Sequence, residues 1–186
     1  MDEFKNNFSK KVQMHLACST DELRPAMNCI YFKDGFAYAT DGHILVKNRI
    51  TEFSGLEEAE ITALDGKMLY RDFYRDMLKY DSLLIAEDGI ECHKGTDKAF
   101  FYFSVFSSDV KYPNAEKVLQ EALNKQTVPL PQFSFDIKLM MRLNKALYEC
   151  NRCTATFKGT NQPILFDSMN DEVSSVGLIM PCYSEE

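Results

Sequence analysis

The sequence predicts an α+β fold in which helices pack on one face of antiparallel β-sheets. Two observations lead to this prediction. Runs of alternating apolar and polar residues are separated by Asp-Gly or Lys-Gly turns, which is typical of antiparallel hairpins. Further segments carry apolar residues at helical spacing, and each precedes a group of such strands. We therefore expect about three half-domain units, each consisting of a helix followed by short strands.

The first unit contains a predicted helix over residues 4–17 and a meander of strands over residues 26–49. The apolar stripe of this helix consists of Phe4, Phe8, Val12 and Leu16. Its members recur in steps of four residues, which places them on one side of a helix. Asp-Gly pairs at residues 34–35 and 41–42 supply the turns, because Asp accepts hydrogen bonds from its own turn and Gly tolerates positive φ. The second turn displays His43.

The second unit follows an acidic connector. Residues 59–64 predict a short strand, and Asp65 predicts the N-cap of a helix over residues 67–80. The buried face of that helix is predicted to consist of Leu69, Phe73, Met77 and Tyr80. The strands of this unit are predicted at residues 82–86, 89–93 and 99–106.

The third unit follows a connector over residues 112–125 that contains a short helical segment. Prolines 129 and 131 exclude a regular helix after it. Residues 133–135 predict a strand that leads into Asp136, the predicted N-cap of a helix over residues 137–148. The last strands are predicted at residues 153–158, 163–167 and 176–181. We expect residues 1–120 to form a domain of two units and residues 121–186 to form the third unit.

The composition is that of an ordinary soluble protein. The 186 residues are 45% hydrophobic and 26% charged, so the chain can bury a substantial core. No apolar run is long enough for a membrane span and the first residues are too polar for a signal peptide, so we expect a cytoplasmic protein with no membrane contact. The formal net charge of −7 argues against nucleic-acid binding that relies on overall attraction to phosphate.

The positive charge is nevertheless concentrated on the predicted helices. The basic positions are Lys10 in the first helix, Lys67, Arg71, Arg75 and Lys79 in the second, and Lys138, Arg142 and Lys145 in the third. One explanation is that Lys and Arg are good helix formers, and Asp72 and Asp76 are available as partners on the second helix. The same polarity in three helices instead favours a surface that meets DNA phosphates without reading base edges.

Three segments carry a resemblance to a known family. Residues 39–45, A-T-D-G-H-I-L, are similar to the A-T-D-G-H-R-L corner of the bacterial DNA polymerase III beta subunit, the sliding clamp. Residues 110–119, V-K-Y-P-N-A-E-K-V-L, resemble the clamp linker x-x-[FY]-P-[DN]-[YA]-x-[RK]-V-[LI]. Residues 177–183, G-L-I-M-P-C-Y, resemble the clamp terminus Y-V-V-M-P-M-R. The resemblance implies a DNA clamp-like fold in a shortened form, without the first clamp domain and the leading half of the third.

In the clamps these segments converge on a hydrophobic cleft that receives short peptide motifs. At the matching positions, the resemblance implies a peptide cleft formed by Gly42, His43, Leu45, Pro113, Val118, Ile179, Met180 and Pro181. Ile44 and Cys182 replace a family Arg and Met, and Glu116-Lys117 replaces an Arg pair, which leaves the preferred peptide open. The implied partners are double-stranded DNA, bound non-specifically, and DNA polymerase or other proteins with clamp-binding motifs. A homo-oligomer is left open.

The sequence offers little support for catalysis or a metal site. It contains no nucleophile elbow, no phosphate-cradling Gly-rich loop and no His-Glu-x-x-His motif, so we predict a protein that is not an enzyme and has no cofactor. Cys150 and Cys153 form the only Cys-x-x-Cys pair, and Cys92-His93 is its only conceivable completion as a zinc site; reduced structural thiols are favoured. The alternative function is a peptide-binding module on a clamp fold that does not encircle DNA.

Overall fold

The computed structural model describes residues 6–125, 134–148, 152–159, 161–170 and 172–182. The strands are β1 Cys29–Lys33, β2 Phe36–Thr40, β3 Ile44–Arg49, β4 Met68–Tyr70, β5 Ser82–Ile85, β6 Gly89–Lys94, β7 Asp97–Tyr102, β8 Cys153–Thr156, β9 Ile164–Ser168 and β10 Val176–Ile179. The α-helices are α1 Ile50–Phe53, α2 Glu58–Ala63, α3 Arg71–Met77, α4 Ala115–Asn124 and α5 Ile137–Ala146. Two short 3-10 helices cover Met14–Ala17 and Pro25–Asn28.

The strands form two antiparallel sheets. Seven of them lie in the order β4-β1-β2-β3-β10-β9-β8, and the other three in the order β5-β6-β7. The pairing of β3 with β10 places Leu45 opposite Leu178 and joins the β1–β3 meander to the C-terminal strands. A bridge between Leu69 and Phe103 links the edge of the larger sheet to the segment after β7. The predicted antiparallel meander is therefore confirmed, and the C-terminal strands extend it.

The turn at residues 41–43 forms for the reason that the sequence suggested. The Asp41 carboxylate accepts hydrogen bonds from the backbone N–H groups of His43 (2.8 Å) and Ile44 (2.9 Å). Gly42 has φ +91°, a conformation that a side chain would strain. The turn consequently holds His43 at the end of the sheet, on the exposed surface.

The main core lies on one face of the larger sheet, beneath α3, α5 and the 3-10 helix Met14–Ala17. Alternate strand residues such as Phe32 and Val46 enter this core, as the period of two requires. Tyr74 on α3 is completely buried and its hydroxyl donates to the Val12 carbonyl at 3.0 Å. Helices on antiparallel sheets give the predicted α+β class, which is confirmed.

A second, smaller core lies on the opposite face of the same sheet. Tyr38, Leu45 and Leu178 on the strands pack there against Ala115 and Leu119 of α4. The sequence predicted only a short helical segment in the connector over residues 112–125, where α4 forms. Because α4 packs on this face, the middle of the sheet is buried on both faces.

The predicted helix over residues 4–17 is wrong for residues 6–13; Phe4 lies outside the described residues. Phe8 forms a β-bridge with Ser54, and the Ser9 N–H donates to the Phe53 carbonyl at 2.7 Å. Asn7 donates from its side chain to the Tyr80 carbonyl at 2.9 Å. The Ser9 hydroxyl accepts from the Lys11 N–H at 3.3 Å. Side chains of Asn and Ser that bond to backbone groups in this way compete with the hydrogen bonds of a helix. Only residues 14–17 form a helical turn.

The second unit also differs from the prediction. Residues 59–64 are not a strand, because α2 covers Glu58–Ala63 with a capping box between Glu57 and Glu60. Asp65 does not cap a helix but accepts hydrogen bonds from the Lys33 ammonium and the Asp34 N–H, both at 2.8 Å.

The helix of this unit begins later than predicted, at Arg71, because residues 68–70 form β4 against β1. Leu69 is therefore buried in a strand. Phe73 is exposed, and Tyr74 takes the core position beside Met77. The three predicted strands of this unit form as β5, β6 and β7, but β7 ends at Tyr102, so the prediction of strand over residues 103–106 is wrong.

The third unit follows its prediction closely. The Asp136 carboxylate accepts from the Lys138 N–H at 2.8 Å and caps α5, and the three last strands form as β8, β9 and β10. Phe133, prolines 129 and 131, and Cys150 lie outside the described residues. The division into residues 1–120 and 121–186 stays a prediction. Across the described ranges, no helix has the length and apolar character needed to cross a bilayer.

Candidate functional site

The turn that carries His43 lies beside the C-terminal segment. The His43 carbonyl accepts a hydrogen bond from the Met180 N–H at 2.8 Å, which continues the β3–β10 pairing by one residue. Met180 packs against the smaller core, and Pro181 follows it half-buried. Two of the three segments predicted to meet are thus in contact.

The third segment reaches the same surface through α4. Pro113 lies in the loop that enters α4, whose residue Leu119 packs with Leu45 and Leu178. Val118 lies on the solvent side of α4 and is 42% exposed. Gly42, His43, Pro113, Val118, Met180 and Pro181 therefore remain at the surface, whereas Leu45 is buried beneath the helix.

Ile179 is a cleft residue that the structure places elsewhere. It is completely buried in the main core, on the other face of the sheet from Leu178 and Met180. Successive residues of a strand point to opposite faces, so a run of three apolar residues cannot line one cleft. The inclusion of Ile179 in the predicted peptide cleft is wrong for this reason.

Helix α4 is held by polar contacts as well as by its apolar face. The Glu116 carboxylate accepts from the Lys47 ammonium at 2.6 Å and from the Tyr38 hydroxyl at 3.0 Å. The hydrogen bond from Lys47 is the main reason that the pKa of Glu116 is lowered. Tyr112, just before the helix, stacks on Tyr31 with ring centroids 4.8 Å apart. The chain's own helix therefore covers the apolar floor of the predicted cleft.

A cleft of about 700 Å³ runs alongside the start of α4. Tyr31, Phe36 and Tyr112 line it together with Pro113 and Lys111. Part of its aromatic surface is already covered, because the Lys47 ammonium lies 4.2 Å from the Phe36 ring centroid. The charged part of the lining is mixed, because Asp34 and Glu116 lie there with the lysines.

The opposite, helical side of the sheet carries a second cavity, of about 650 Å³. Its basic and imidazole side chains are His15, Arg24, His43, Arg71, Arg75 and Arg142. They come from the 3-10 helix Met14–Ala17, the loop after it, the Asp-Gly turn, α3 and α5. The 3-10 helix contacts both α3 and α5, which brings their basic residues together from distant parts of the chain.

The residues predicted to face DNA divide into three groups. Arg71, Arg75 and Arg142 line this cavity. Lys138 and Lys145 are exposed on α5, and Lys79 is exposed two residues after α3. Lys10 is exposed but does not lie on a helix, so its predicted place in a helical stripe is wrong. Lys67 is not on a helix, because it precedes β4; its ammonium donates to the Glu87 carbonyl at 2.9 Å and lies 5.5 Å from the Phe103 ring centroid. The prediction that Lys67 shares the stripe of α3 is wrong.

Several of these cations already have carboxylate partners. Arg142 pairs with Asp41 at 2.7 Å. Arg75 pairs with Asp72 at 2.9 Å and Asp76 at 3.3 Å, and Lys79 pairs with Asp76 at 2.7 Å. The helical side is consequently a surface of mixed charge.

His15 is a site residue that the sequence reasoning missed. Its Nδ1 is buried and has no hydrogen-bond partner among the described residues. Burial lowers the pKa of His15, and the positive charges of Arg75 and Arg71 lower it further. No motif surrounds His15 in the sequence, so only its position between α3 and α5 identifies it.

The larger antiparallel sheet is covered by α3 and α5 on one face and by α4 on the other. This architecture defines a DNA clamp-type fold. Solved bacterial sliding clamps show it specifically. The DNA polymerase sliding clamp of Bacillus subtilis matches 93% of this chain and 61% of its own length, at 16% identity and a TM-score of 0.66. The DNA polymerase III beta chain from Streptococcus pneumoniae matches 94% of this chain and 62% of its own length, at 14% identity and a TM-score of 0.63. The beta subunit from Thermotoga maritima matches 98% of this chain and 63% of its own length, at 14% identity and a TM-score of 0.57.

The chain therefore has the fold of the bacterial sliding clamps. It spans about three-fifths of the length of the first clamps it matches. Neither a protein-family model nor a curated protein sequence matches it. The predicted resemblance is confirmed at the level of the fold.

Proposed function

We propose that this protein is a sliding-clamp type of protein that contacts double-stranded DNA without sequence preference and recruits partner peptides. The observation that carries the proposal is the convergence of Arg71, Arg75 and Arg142 on one side of a clamp fold. These residues come from two helices that are far apart in the sequence, so local helix propensity does not account for their meeting. Guanidinium groups suit phosphate oxygens, which do not differ between base pairs.

The exposed lysines extend this basic side. Lys138 and Lys145 project from α5, and Lys79 lies at the end of α3. Side chains of this kind neutralise backbone phosphates and release counterions, which gives affinity without base readout. The formal net charge of −7 makes the position of these cations, rather than their number, the basis of DNA contact.

Partner recruitment is assigned to the other side of the sheet. We assign the peptide rim to Pro113, Val118 and Met180 beside α4, where a flexible thioether and a proline ring suit short apolar peptides. His43 adjoins this rim through its backbone hydrogen bond to Met180 and also lines the cavity on the helical side. DNA polymerase and other proteins with clamp-binding motifs are the proposed partners. Because α4 covers Leu45, such a peptide would bind along the helix rather than on the sheet itself.

A second candidate is a peptide-binding module that never encircles DNA. The carboxylate pairing of Arg75 and Arg142 favours it, since paired cations have less charge to offer to phosphate. Encirclement also requires copies of the chain to close a ring, so a homo-oligomer belongs to the first candidate only.

Retention on circular DNA separates the two candidates. The chain is mixed with nicked circular DNA, separated by gel filtration, and the experiment is repeated after the DNA is linearised. A clamp is expected to stay with the circle and to be lost from the linear form, with an oligomeric mass in solution. Equal retention on both forms would contradict encirclement, and a monomer retained on neither would favour the peptide-binding module.

A further inference from the structure

The cavity on the helical side has a composition that suits an anion. Its lining includes Arg24, Arg71, Arg75 and Arg142 against Asp21, Asp41 and Asp72. Four guanidinium groups and three carboxylates line the cavity, and the Asp76 carboxylate contacts Arg75 at 3.3 Å from outside the lining. The charges of these side chains therefore nearly balance, and an anion would be attracted by a guanidinium group that lacks a close carboxylate partner.

Arg71 distinguishes this cavity from an ordinary network of ion pairs. Its side chain is only 27% exposed, and its nearest carboxylate, that of the neighbouring Asp72, is 3.8 Å away. Within the described ranges its guanidinium makes no hydrogen bond to another group of the chain, whereas Arg75 and Arg142 each make close contacts. Five N–H donors in a half-buried site favour an acceptor from outside the chain.

The pKa of His15 is sensitive to the charges in this cavity. It lines the cavity, and the charges that lower its pKa most, after burial, are those of Arg75 and Arg71. Asp72 and Asp76 act in the opposite direction but are smaller causes. An anion bound beside these guanidinium groups would offset their effect and raise the pKa of His15.

We propose that this cavity is a phosphate-binding site in which Arg71 and Arg75 hold the oxyanion beside His15. The phosphate is either that of a small molecule or one phosphodiester of DNA, and the guanidinium chemistry is the same for both. This inference names one discrete phosphate subsite on the helical side. If the phosphate belongs to DNA, the inference rests on the proposed function; if it belongs to a small molecule, it does not. A discrete site saturates, whereas a diffuse basic surface responds only to ionic strength.

The test follows the His15 imidazole by NMR in the full chain. Titration with inorganic phosphate, against sodium chloride at matched ionic strength, is expected to raise the pKa of His15 and to saturate. Arg71→Gln is expected to weaken phosphate binding about tenfold, as for the loss of a charge-assisted partner. Lys94→Gln, an exposed lysine at the end of β6, is the matched control and is expected to leave the titration unchanged.

The outcomes separate this inference from the proposed function. A phosphate response that does not saturate, or that Arg71→Gln leaves intact, would overturn the site even if the chain still binds DNA. If Arg71→Gln also weakens binding of a linear duplex, the phosphate belongs to DNA. If it removes phosphate binding and leaves duplex binding unchanged, the site serves a small phosphate compound. Saturable phosphate binding without any duplex binding would support the site and contradict the proposed function.

Discussion

Arg142 on α5 forms an ion pair with Asp41 in the Asp-Gly turn, at 2.7 Å. The same guanidinium donates from Nε to the Leu16 carbonyl at 2.7 Å. Asp41 meanwhile shapes the turn that positions His43. One arginine therefore joins α5 to the Asp-Gly turn and to the 3-10 helix Met14–Ala17.

Replacement of Arg142 is expected to weaken this connection. Arg142→Gln removes the charge that Asp41 faces, so the free energy of unfolding should fall by about 1–3 kcal/mol. Chemical denaturation measures the change. Lys138→Gln, one turn earlier on the exposed side of α5, is the control and should have little effect. Equal stability of the two variants would contradict a structural role for the pair.

The docking of α4 is expected to depend on Leu119. This side chain is 1% exposed, so Leu119→Ala should lower the free energy of unfolding by about 2–5 kcal/mol. Val118→Ala, the neighbouring change on the exposed side, should cost far less. Similar losses for both variants in urea denaturation would show that α4 does not cover the sheet as described.

Peptide recruitment is expected to depend on the rim beside α4. The double change Met180→Ala with Pro113→Ala should weaken binding of a clamp-type peptide about tenfold or more, because two of its apolar contacts are removed. Calorimetry measures the affinity, and Met169→Ala, an exposed methionine after β9, is the control. Unchanged affinity in the double variant would place the peptide elsewhere.

The lowered pKa of His15 has a consequence for stability in mild acid. The unfolded chain takes up a proton near the ordinary pKa of 6.5, while the folded chain resists protonation to a lower pH. Stability should therefore fall as the pH decreases through that range and level off below the folded pKa. His15→Gln should reduce this fall, measured by denaturation from about pH 8 to about pH 5. An identical pH dependence in the variant would contradict the burial of His15 as a neutral group.

Local chemistry made some elements predictable. The Asp41-Gly42 turn and the Asp136 cap each depend on hydrogen bonds within a few residues, and both form as expected. The prediction of the first helix was wrong because the spacing of Phe8 and Val12 also fits a non-helical segment that buries both side chains in the core. The Asn7 side chain, which donates to the distant Tyr80 carbonyl, and the Ser9 hydroxyl, which accepts from the Lys11 N–H, favour a non-helical conformation there.

The candidate site was predictable only in part. The segments around His43 and Met180 do meet, but strand alternation turns Ile179 to the other face. The docking of α4 depends on contacts with Tyr38 and Leu178, which no local pattern reveals. His15 entered the site only because its 3-10 helix lies between α3 and α5.

The most direct test of DNA contact is the affinity for a linear duplex, measured by fluorescence anisotropy over a range of salt concentrations. The triple change Arg75→Gln, Lys138→Gln and Lys145→Gln removes cations from the helical side. The matched control Lys94→Gln, Lys98→Gln and Lys111→Gln removes the same charge from exposed positions elsewhere. The first variant is expected to bind at least about tenfold more weakly, with a shallower salt dependence, while the control keeps most of its affinity. Equal losses in the two variants, or no binding by the unaltered chain, would contradict a DNA-facing helical side.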